Sequence, residues 1–178
     1  EGIEAQDENL LFEVRSQILS YAAIYEAVIQ HVLYTYYSDT AYFAQMTTHT
    51  IPVRIDIPKA KKEELRKELS HDGKDIVTFF YDSKQKDEAS IRFDHKCKTA
   101  EKLGLIHMFQ NERGEQINLP EEIIEIYNYR NGIHLVAEQR KGMQYELDLS
   151  KKAYWRIQPF IAQIKECLNE DGKCVVDP

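Results

Sequence analysis

The fold is decided by the opening stretch, residues 10–37, which reads LLFEVRSQILSYAAIYEAVIQHVLYTYY. Its apolar residues recur at alternating steps of three and four, which predicts one long amphipathic helix: Leu11, Val14, Ile18, Tyr21, Tyr25, Val28 and Val32. Five more residues widen this stripe: Leu10, Leu19, Ala22, Ile29 and Leu33. At about 1.5 Å per residue the helix would span about 40 Å. So long and broad a stripe predicts the central helix of a bundle, with partners on more than one side.

Three further helices are predicted in the second half of the chain. The first covers about Arg92–Leu105, and its inward-facing candidates are Phe93, Cys97, Ala100 and Leu103 or Gly104. The second begins at Pro120, where Glu121 and Glu122 complement the helix dipole in the first turn. The third runs from near Ser150 to about Leu168, is kinked by Pro159, and has five core candidates: Trp155, Phe160, Ile161, Ile164 and Leu168.

The region between the first and middle helices has a different pattern. Ile51, Val53, Ile55 and Ile57 alternate between prolines, which predicts an edge strand or extended loop. A charged surface helix at Lys59–Leu69, a possible strand at Ile76–Tyr81 and a solvated loop at Asp82–Ala89 follow. We therefore expect an all-α bundle of four to five main helices in a single domain over residues 7–170, with a small extended or β insertion at about 40–90 and a tail at 171–178.

Composition limits the classes of function. Among 178 residues, 30 are acidic and 23 are Lys or Arg, a formal charge of −7, which disfavours nucleic-acid binding through bulk positive charge. No apolar run approaches the ~18 residues of a membrane span. Cys97, Cys167 and Cys174 are an odd set without a CxxC pair, which argues against a disulfide framework and a zinc site and favours a reducing cytoplasm. The acidic, polar start predicts no signal peptide, and the absence of an initiator Met suggests a processed or excised chain.

The stretch that could carry chemistry is YNYRNGIHL, residues 127–135. On a helix Arg130 and His134 lie one turn apart on the same side. The planar guanidinium can hold two phosphate oxygens, and the imidazole can move protons near neutral pH. Asn131 adds a neutral hydrogen-bonding group. The pair therefore suits phosphate chemistry.

Two other interpretations of this stretch stay open. Asn131-Gly132 between strand-forming residues is also a β-hairpin signal, and in a hairpin the helical geometry of Arg130 and His134 would be lost. The Pro120-Glu121-Glu122 start favours the helix, in which Gly132 costs about 1 kcal/mol relative to Ala. Alternatively, the two side chains form a structural link between a helix end and a neighbouring carboxylate, and Glu26 is the expected acidic partner of Arg130.

Basic residues are concentrated in the part of the sequence that contains and follows this stretch. Residues 1–30 contain six acidic residues and one basic residue, whereas residues 129–156 contain six basic and three acidic residues. Arg140 and Lys141 belong to the second group, and Tyr129 is one of several tyrosines there that could stack on bases. These three residues are the candidate substrate contacts.

Three segments resemble the HEPN superfamily, helical domains of prokaryotic toxins, phage-defence factors and RNA-processing enzymes. They are RSQILSYAAIYEAV at residues 15–28, KTAEKLGLI at residues 98–106, and Arg130-Asn131 followed by His134. With the last helix they cover about two thirds of the chain. Family ribonucleases usually place four to six residues between the Arg and the His, and here only three intervene.

The resemblance implies a metal-independent endoribonuclease in defence or toxin–antitoxin biology, with no cofactor and no membrane association. It implies a homodimer whose paired Arg–His helices form one cleft for RNA, restrained in some cases by an antitoxin or other regulatory protein. His134 would act as general base or acid and Arg130 would neutralise the phosphate, while Asn131 and Glu26 would orient nearby groups. The alternatives are a catalytically silent HEPN module that dimerises and binds RNA or a partner protein, and a purely structural bundle.

Overall fold

A computed structural model describes residues 2–68, 77–133 and 143–168. Within these ranges the chain is mostly helical, with one larger and one very small two-stranded sheet. The elements in chain order are α1 (Gly2–Tyr36), α2 (Ala41–Thr47), β1 (Thr48–Ile55), α3 (Lys59–Glu68), β2 (Thr78–Gln85), a 3-10 turn (Glu88–Ser90), α4 (Phe93–Lys102), β3 (Phe109–Gln110), β4 (Gln116–Ile117), α5 (Leu119–Ile133) and α6 (Met143–Glu166).

The described residues divide into two compact units. One unit, which we call the helical unit, contains residues up to 46 together with those from 91 onward. The other, which we call the hairpin unit, contains residues 47–90. The mostly helical fold expected from the sequence is confirmed, as is a small two-stranded insertion between the first and middle helices.

The long opening helix is the centre of the helical unit, where α4, α5 and α6 all contact it. Most of the predicted apolar stripe is buried, and the fully enclosed members include Ile18, Ala22 and Ile29. Tyr25 is buried as well, and its hydroxyl donates to the carbonyl of Ala153 on α6 at 2.8 Å. Its ring also meets Phe160 edge-on, with 5.0 Å between centroids. A broad apolar surface with partners on several sides is therefore the observed arrangement.

The helices α4 and α5 agree with their sequence signals. In α4 the residues Phe93, Cys97 and Ala100 are buried, and Gly104, with φ +74°, follows the helix end in the left-handed conformation that glycine adopts most easily. Helix α5 has Pro120 in its first turn and runs through Asn131 and Gly132 to Ile133. The β-hairpin alternative for this stretch is therefore wrong, because its two turn residues lie inside a helix.

The last helix differs from the prediction in its start and in part of its core. It begins at Met143 rather than near Ser150, and it continues through Pro159. Trp155 and Ile161 are exposed, whereas Phe160 and Ile164 are buried as expected. With 3.6 residues per turn, one inward line of α6 passes through Leu149, Ala153, Phe160 and Ile164, and Trp155 and Ile161 fall outside it.

The hairpin unit consists of an antiparallel pair, β1 and β2, and the charged helix α3. The register pairs Thr48 with Gln85 at one end and Ile55 with Thr78 at the other. The strand predicted from alternation in β1 is confirmed, but β2 extends to Gln85, where a loop beginning at Asp82 was expected. Its polar half has no strand signal of its own, and pairing with β1 determines it. None of the residues of α3, Lys59–Glu68, is buried, as the charged sequence indicated.

Two other differences concern short elements. Ala41–Thr47 forms α2 in a stretch whose sequence gave only a weak signal. The pair β3–β4 forms a small hairpin between α4 and α5 that the sequence did not indicate. His134, Arg140, Lys141 and the tail 171–178, which the sequence singled out, lie outside the described residues.

Candidate functional site

The candidate site lies where the last turn of α5 meets the middle of α1. Arg130 is on that turn, and its Nη1 atom is 3.4 Å from Oε2 of Glu26. The two side chains are 33% and 29% exposed, so the ion pair is partly screened from water but still reachable from it. The acidic partner expected for Arg130 from the sequence is thus the one it contacts.

Tyr127 completes this contact one turn earlier on α5. Its hydroxyl donates to Oε1 of Glu26 at 2.9 Å, while the guanidinium carbon of Arg130 lies 5.1 Å from the centroid of its ring. The ring also packs against Phe93 of α4, with centroids 4.1 Å apart. Glu26 therefore engages two side chains of α5 with its two oxygens, and the guanidinium is held by a carboxylate and by a ring.

The electrostatics of the tyrosine follow from this arrangement. Burial raises the pKa of Tyr127, and the hydrogen bond to Glu26 and the negative charge of that carboxylate raise it further. Tyr127 is thus a neutral donor at physiological pH, and it lends Glu26 a fixed hydrogen bond. Asn131 follows Arg130 and is exposed. An anion approaching the end of α5 would meet a pre-oriented guanidinium beside an exposed amide.

Tyr129, a candidate substrate contact, is half-buried and belongs to a different cluster. Burial raises its pKa, with a further contribution from hydrogen bonding to Glu146 and from that carboxylate's charge, while Arg15 opposes the shift. Its polar neighbours are therefore Arg15 of α1 and Glu146 of α6, which places its hydroxyl in the packing between helices. Of the sequence-predicted site residues, the structure brings Glu26 and Arg130 into contact, leaves Asn131 exposed beside Arg130 in the sequence, and gives Tyr129 other partners.

The Arg15–Glu146 pair was missed by the sequence analysis. Nη2 of Arg15 lies 2.9 Å from Oε1 of Glu146, whose side chain is only 1% exposed. The other carboxylate oxygen and Nε of Arg15 are buried without a hydrogen-bond partner in the described part of the chain. A signal existed, because Arg15 precedes Glu26 by about three helical turns and so lies on the same side of α1. A cation on the side of α1 that packs against other helices predicts an acidic partner buried between those helices.

The basic stretch of α6 is largely occupied by carboxylates. Lys152 contacts Glu125 at 2.9 Å, and Arg156 contacts Glu122 through Nε and, at 3.4 Å, through Nη2. Lys151 lies 3.8 Å from Asp148. These basic residues therefore join α6 to α5, or to itself, and they do not add unpaired positive charge beside Arg130. The inference of a basic side drawn from residue counts is corrected to this extent.

In the described ranges no group of three or more His, Cys, Asp or Glu side chains is arranged to hold a metal ion. Nor does any described helix combine the length and apolar character that crossing a membrane requires.

Comparisons of the chain with family models, with curated proteins and with solved structures gave no match. The geometry of the site and the sequence resemblance are therefore the two grounds on which a function can be inferred.

Proposed function

We propose that this protein is a HEPN-type, metal-independent endoribonuclease that acts as a homodimer in the cytoplasm, in defence or toxin–antitoxin biology. The observation that supports it is the contact of Arg130 with Glu26 and Tyr127. A guanidinium oriented by a carboxylate and a ring, one third exposed at the end of a helix, is suited to a phosphate group. Arg130 belongs to the same short motif as His134, the Arg-Asn-x-x-His segment.

The proposed reaction is a transesterification within RNA. The ribose 2′-oxygen attacks the adjacent phosphorus while its proton passes to His134, and the bond from phosphorus to the 5′-oxygen breaks. The leaving oxygen takes up a proton, which gives a 2′,3′-cyclic phosphate and a 5′-hydroxyl. Arg130 stabilises the additional negative charge on the phosphoryl oxygens, and Asn131 donates a hydrogen bond there. DNA lacks the 2′-hydroxyl nucleophile and is not a substrate.

The test is cleavage of an end-labelled single-stranded RNA in EDTA. We expect the wild-type protein to cleave and His134→Ala to be inactive, with the same circular dichroism spectrum. His49→Ala is the matched control, because His49 is exposed on β1 of the hairpin unit and takes no part in the site. It should retain full activity.

The pH profile gives a second readout of the same proposal. Wild-type activity should change across the range in which imidazole titrates, near about pH 6.5. A flat profile through that range, or full activity of His134→Ala, would contradict the assignment of His134 as the proton-transfer group.

One observation favours a second candidate, a catalytically silent HEPN module. Glu26 already occupies the guanidinium of Arg130, and a carboxylate there competes with a phosphate. In a silent module Glu26→Gln would strengthen RNA binding and no RNA would be cleaved by any variant. In the enzyme Glu26→Gln should lower the cleavage rate, because Arg130 and Tyr127 lose their common anchor.

A further inference from the structure

The β1–β2 hairpin has an exposed face whose residues belong neither to the core nor to the candidate site. Residues directly opposite each other in an antiparallel pair project to the same side of the sheet. The register pairs Phe79 with Arg54, Tyr81 with Pro52 and Ser83 with Thr50. All six side chains are exposed and share one side, which we call the stacking face.

Two aromatic rings dominate this face. Phe79 is 49% exposed and Tyr81 is 68% exposed, and their ring centroids are 5.3 Å apart in an edge-to-face arrangement. On the opposite side of the hairpin Ile51 and Val53 are partly buried, while Phe80 is as exposed as Phe79. The stacking face is the side on which two exposed rings lie in contact with each other.

Charge on the stacking face complements a phosphate backbone. The guanidinium of Arg54, directly across from Phe79, is 68% exposed, and its ion pair with the almost fully exposed Asp56 spans 3.8 Å. A pair so open to water contributes little, and a phosphate can replace the carboxylate. The acidic residue of β2, Asp82, projects to the other side of the hairpin.

The composition of this face matches a surface for single-stranded nucleic acid. Aromatic residues and arginine are common at protein interfaces as well, and it is the substrate class of the proposed function that selects RNA here. Two rings, a guanidinium and the hydroxyls of Thr50 and Ser83 are the groups that hold single-stranded nucleic acid, because bases stack on rings and cations meet phosphates.

We propose that the stacking face is a binding site for single-stranded RNA in which Phe79 and Tyr81 stack on bases and Arg54 contacts a phosphate. The site lies in the hairpin unit, whereas Arg130 belongs to the helical unit. The inference rests on the proposed function in one respect, since that function supplies RNA as the substrate class. Recognition here is tolerant of sequence, because every base offers a π-face.

The experiment measures binding of a fluorescein-labelled 2′-O-methyl oligoribonucleotide to the full chain by anisotropy. This probe lacks the nucleophile, so binding is read without cleavage. Phe79→Ala and Tyr81→Ala should each weaken binding by at least about 5-fold, and Tyr81→Phe should bind as the wild type does. Arg54→Gln should lower the slope of log affinity against log salt by about 0.7, the value for one phosphate contact on a single strand.

Phe80→Ala is the matched control, because Phe80 is also 49% exposed but pairs with Val53 on the other side of the hairpin. It should leave affinity within about 2-fold of wild type. Equal losses for Phe79→Ala and Phe80→Ala would overturn the proposal, and so would a wild-type chain that does not bind the probe. Loss of self-association in Phe79→Ala without loss of probe binding would show a protein-binding face instead.

The two proposals fail separately. If probe binding depends on Phe79 but the protein cleaves no RNA, the stacking face is supported and the proposed nuclease is contradicted. Cleavage that depends on His134, with probe binding insensitive to Phe79, does the reverse.

Discussion

The most enclosed charge among the described residues is the carboxylate of Glu146, which has Arg15 as its ionic partner and Tyr129 as a hydrogen-bonding neighbour. Its Oε1 atom lies 2.9 Å from Arg15, and in the described part of the chain its Oε2 atom is buried without a hydrogen bond. A buried ion pair adds little relative to apolar packing, but removing one member leaves the other charge without compensation. The cost of a substitution here is therefore expected to be large even though the net contribution of the pair is small.

We predict that Glu146→Ala lowers the free energy of unfolding by about 3 kcal/mol. The estimate is at the lower end of the range for buried pairs because the Arg15 side chain is 29% exposed and keeps some hydration. Urea unfolding followed by circular dichroism measures the change. Glu13→Ala, at an exposed position of α1, is the control and should change stability by less than about 0.5 kcal/mol.

A double variant separates the pair from its surroundings. Because Glu146→Ala and Arg15→Ala remove the same interaction, the loss in Arg15→Ala/Glu146→Ala should be smaller than the two single losses combined. Strict additivity would show that the two charges do not stabilise each other in the folded protein.

These residues also show what a local pattern can and cannot predict about a site. The pairing of Glu26 with Arg130 could be expected, because each stood out in its own helix and they have opposite charge. The pairing of Arg15 with Glu146 joins positions 131 residues apart in the chain. No local period relates them, and only the packing of α6 against α1 brings them together.

At the scale of elements, the helix ends carry testable information. The end of α4 depends on Gly104, whose φ of +74° is a conformation that costs other residues free energy. A Cβ atom added at Gly104 would have no neighbour within 4 Å, so the cost of a substitution is confined to the backbone.

Gly104→Ala should therefore destabilise the protein by about 1 kcal/mol, and Gly104→Asn by less, because Asn tolerates the left-handed conformation better. Thermal and urea unfolding of the two variants measure the difference. If Gly104→Ala is as stable as the wild type, backbone conformation does not explain the role of Gly104. A loss of stability larger than that of a substitution that crowds the core would also contradict this explanation.

Elements that carry their own signal were predictable, and those that depend on distant partners were not. The period of α1 and the Pro-Glu-Glu start of α5 are local signals, and α5 begins where expected. Helix α1 covers the predicted stretch but begins at Gly2, eight residues before Leu10, in a polar segment without an apolar period. The first turns of α6 contain the buried acidic residue Glu146, which does not contribute to an apolar period. The start predicted from that period, near Ser150, was therefore too late. The polar end of β2 is likewise held by its register with β1.

At the scale of the whole molecule, buried weak acids link stability to alkaline pH. Burial raises the pKa of the Tyr25 hydroxyl and of the Cys97 thiol, which lie in α1 and α4. In the folded protein both keep their protons at pH values where the unfolded chain loses them. Their contribution is thus fully present below the unfolded pKa values, about 8.5 for Cys and about 10 for Tyr, and is lost as pH rises.

We expect the free energy of unfolding to fall above about pH 9 and more steeply above about pH 10, by up to about 1.4 kcal/mol per pH unit for each group. Urea unfolding at intervals between pH 7 and pH 11 measures the slope. In Tyr25→Phe, which is less stable at pH 7 through loss of the bond to Ala153, the decline between pH 10 and pH 11 should be shallower. An identical decline in both proteins would exclude Tyr25 as a cause.

The proposed homodimer makes a prediction that concerns the assembly rather than any one chain. If one cleft needs Arg130 and His134 from both protomers, a dimer with a single His134→Ala chain is inactive. Wild-type and variant chains mixed in equal amounts, unfolded in urea and refolded together should then retain about one quarter of the activity of the same total amount of refolded wild-type protein, because about one quarter of random dimers are wild type on both sides. Independent sites would retain about half. Wild-type chains refolded together with His49→Ala chains are the control for activity lost during refolding, because His49→Ala should be fully active. After correction for that loss, the retained activity distinguishes a shared cleft from two independent sites.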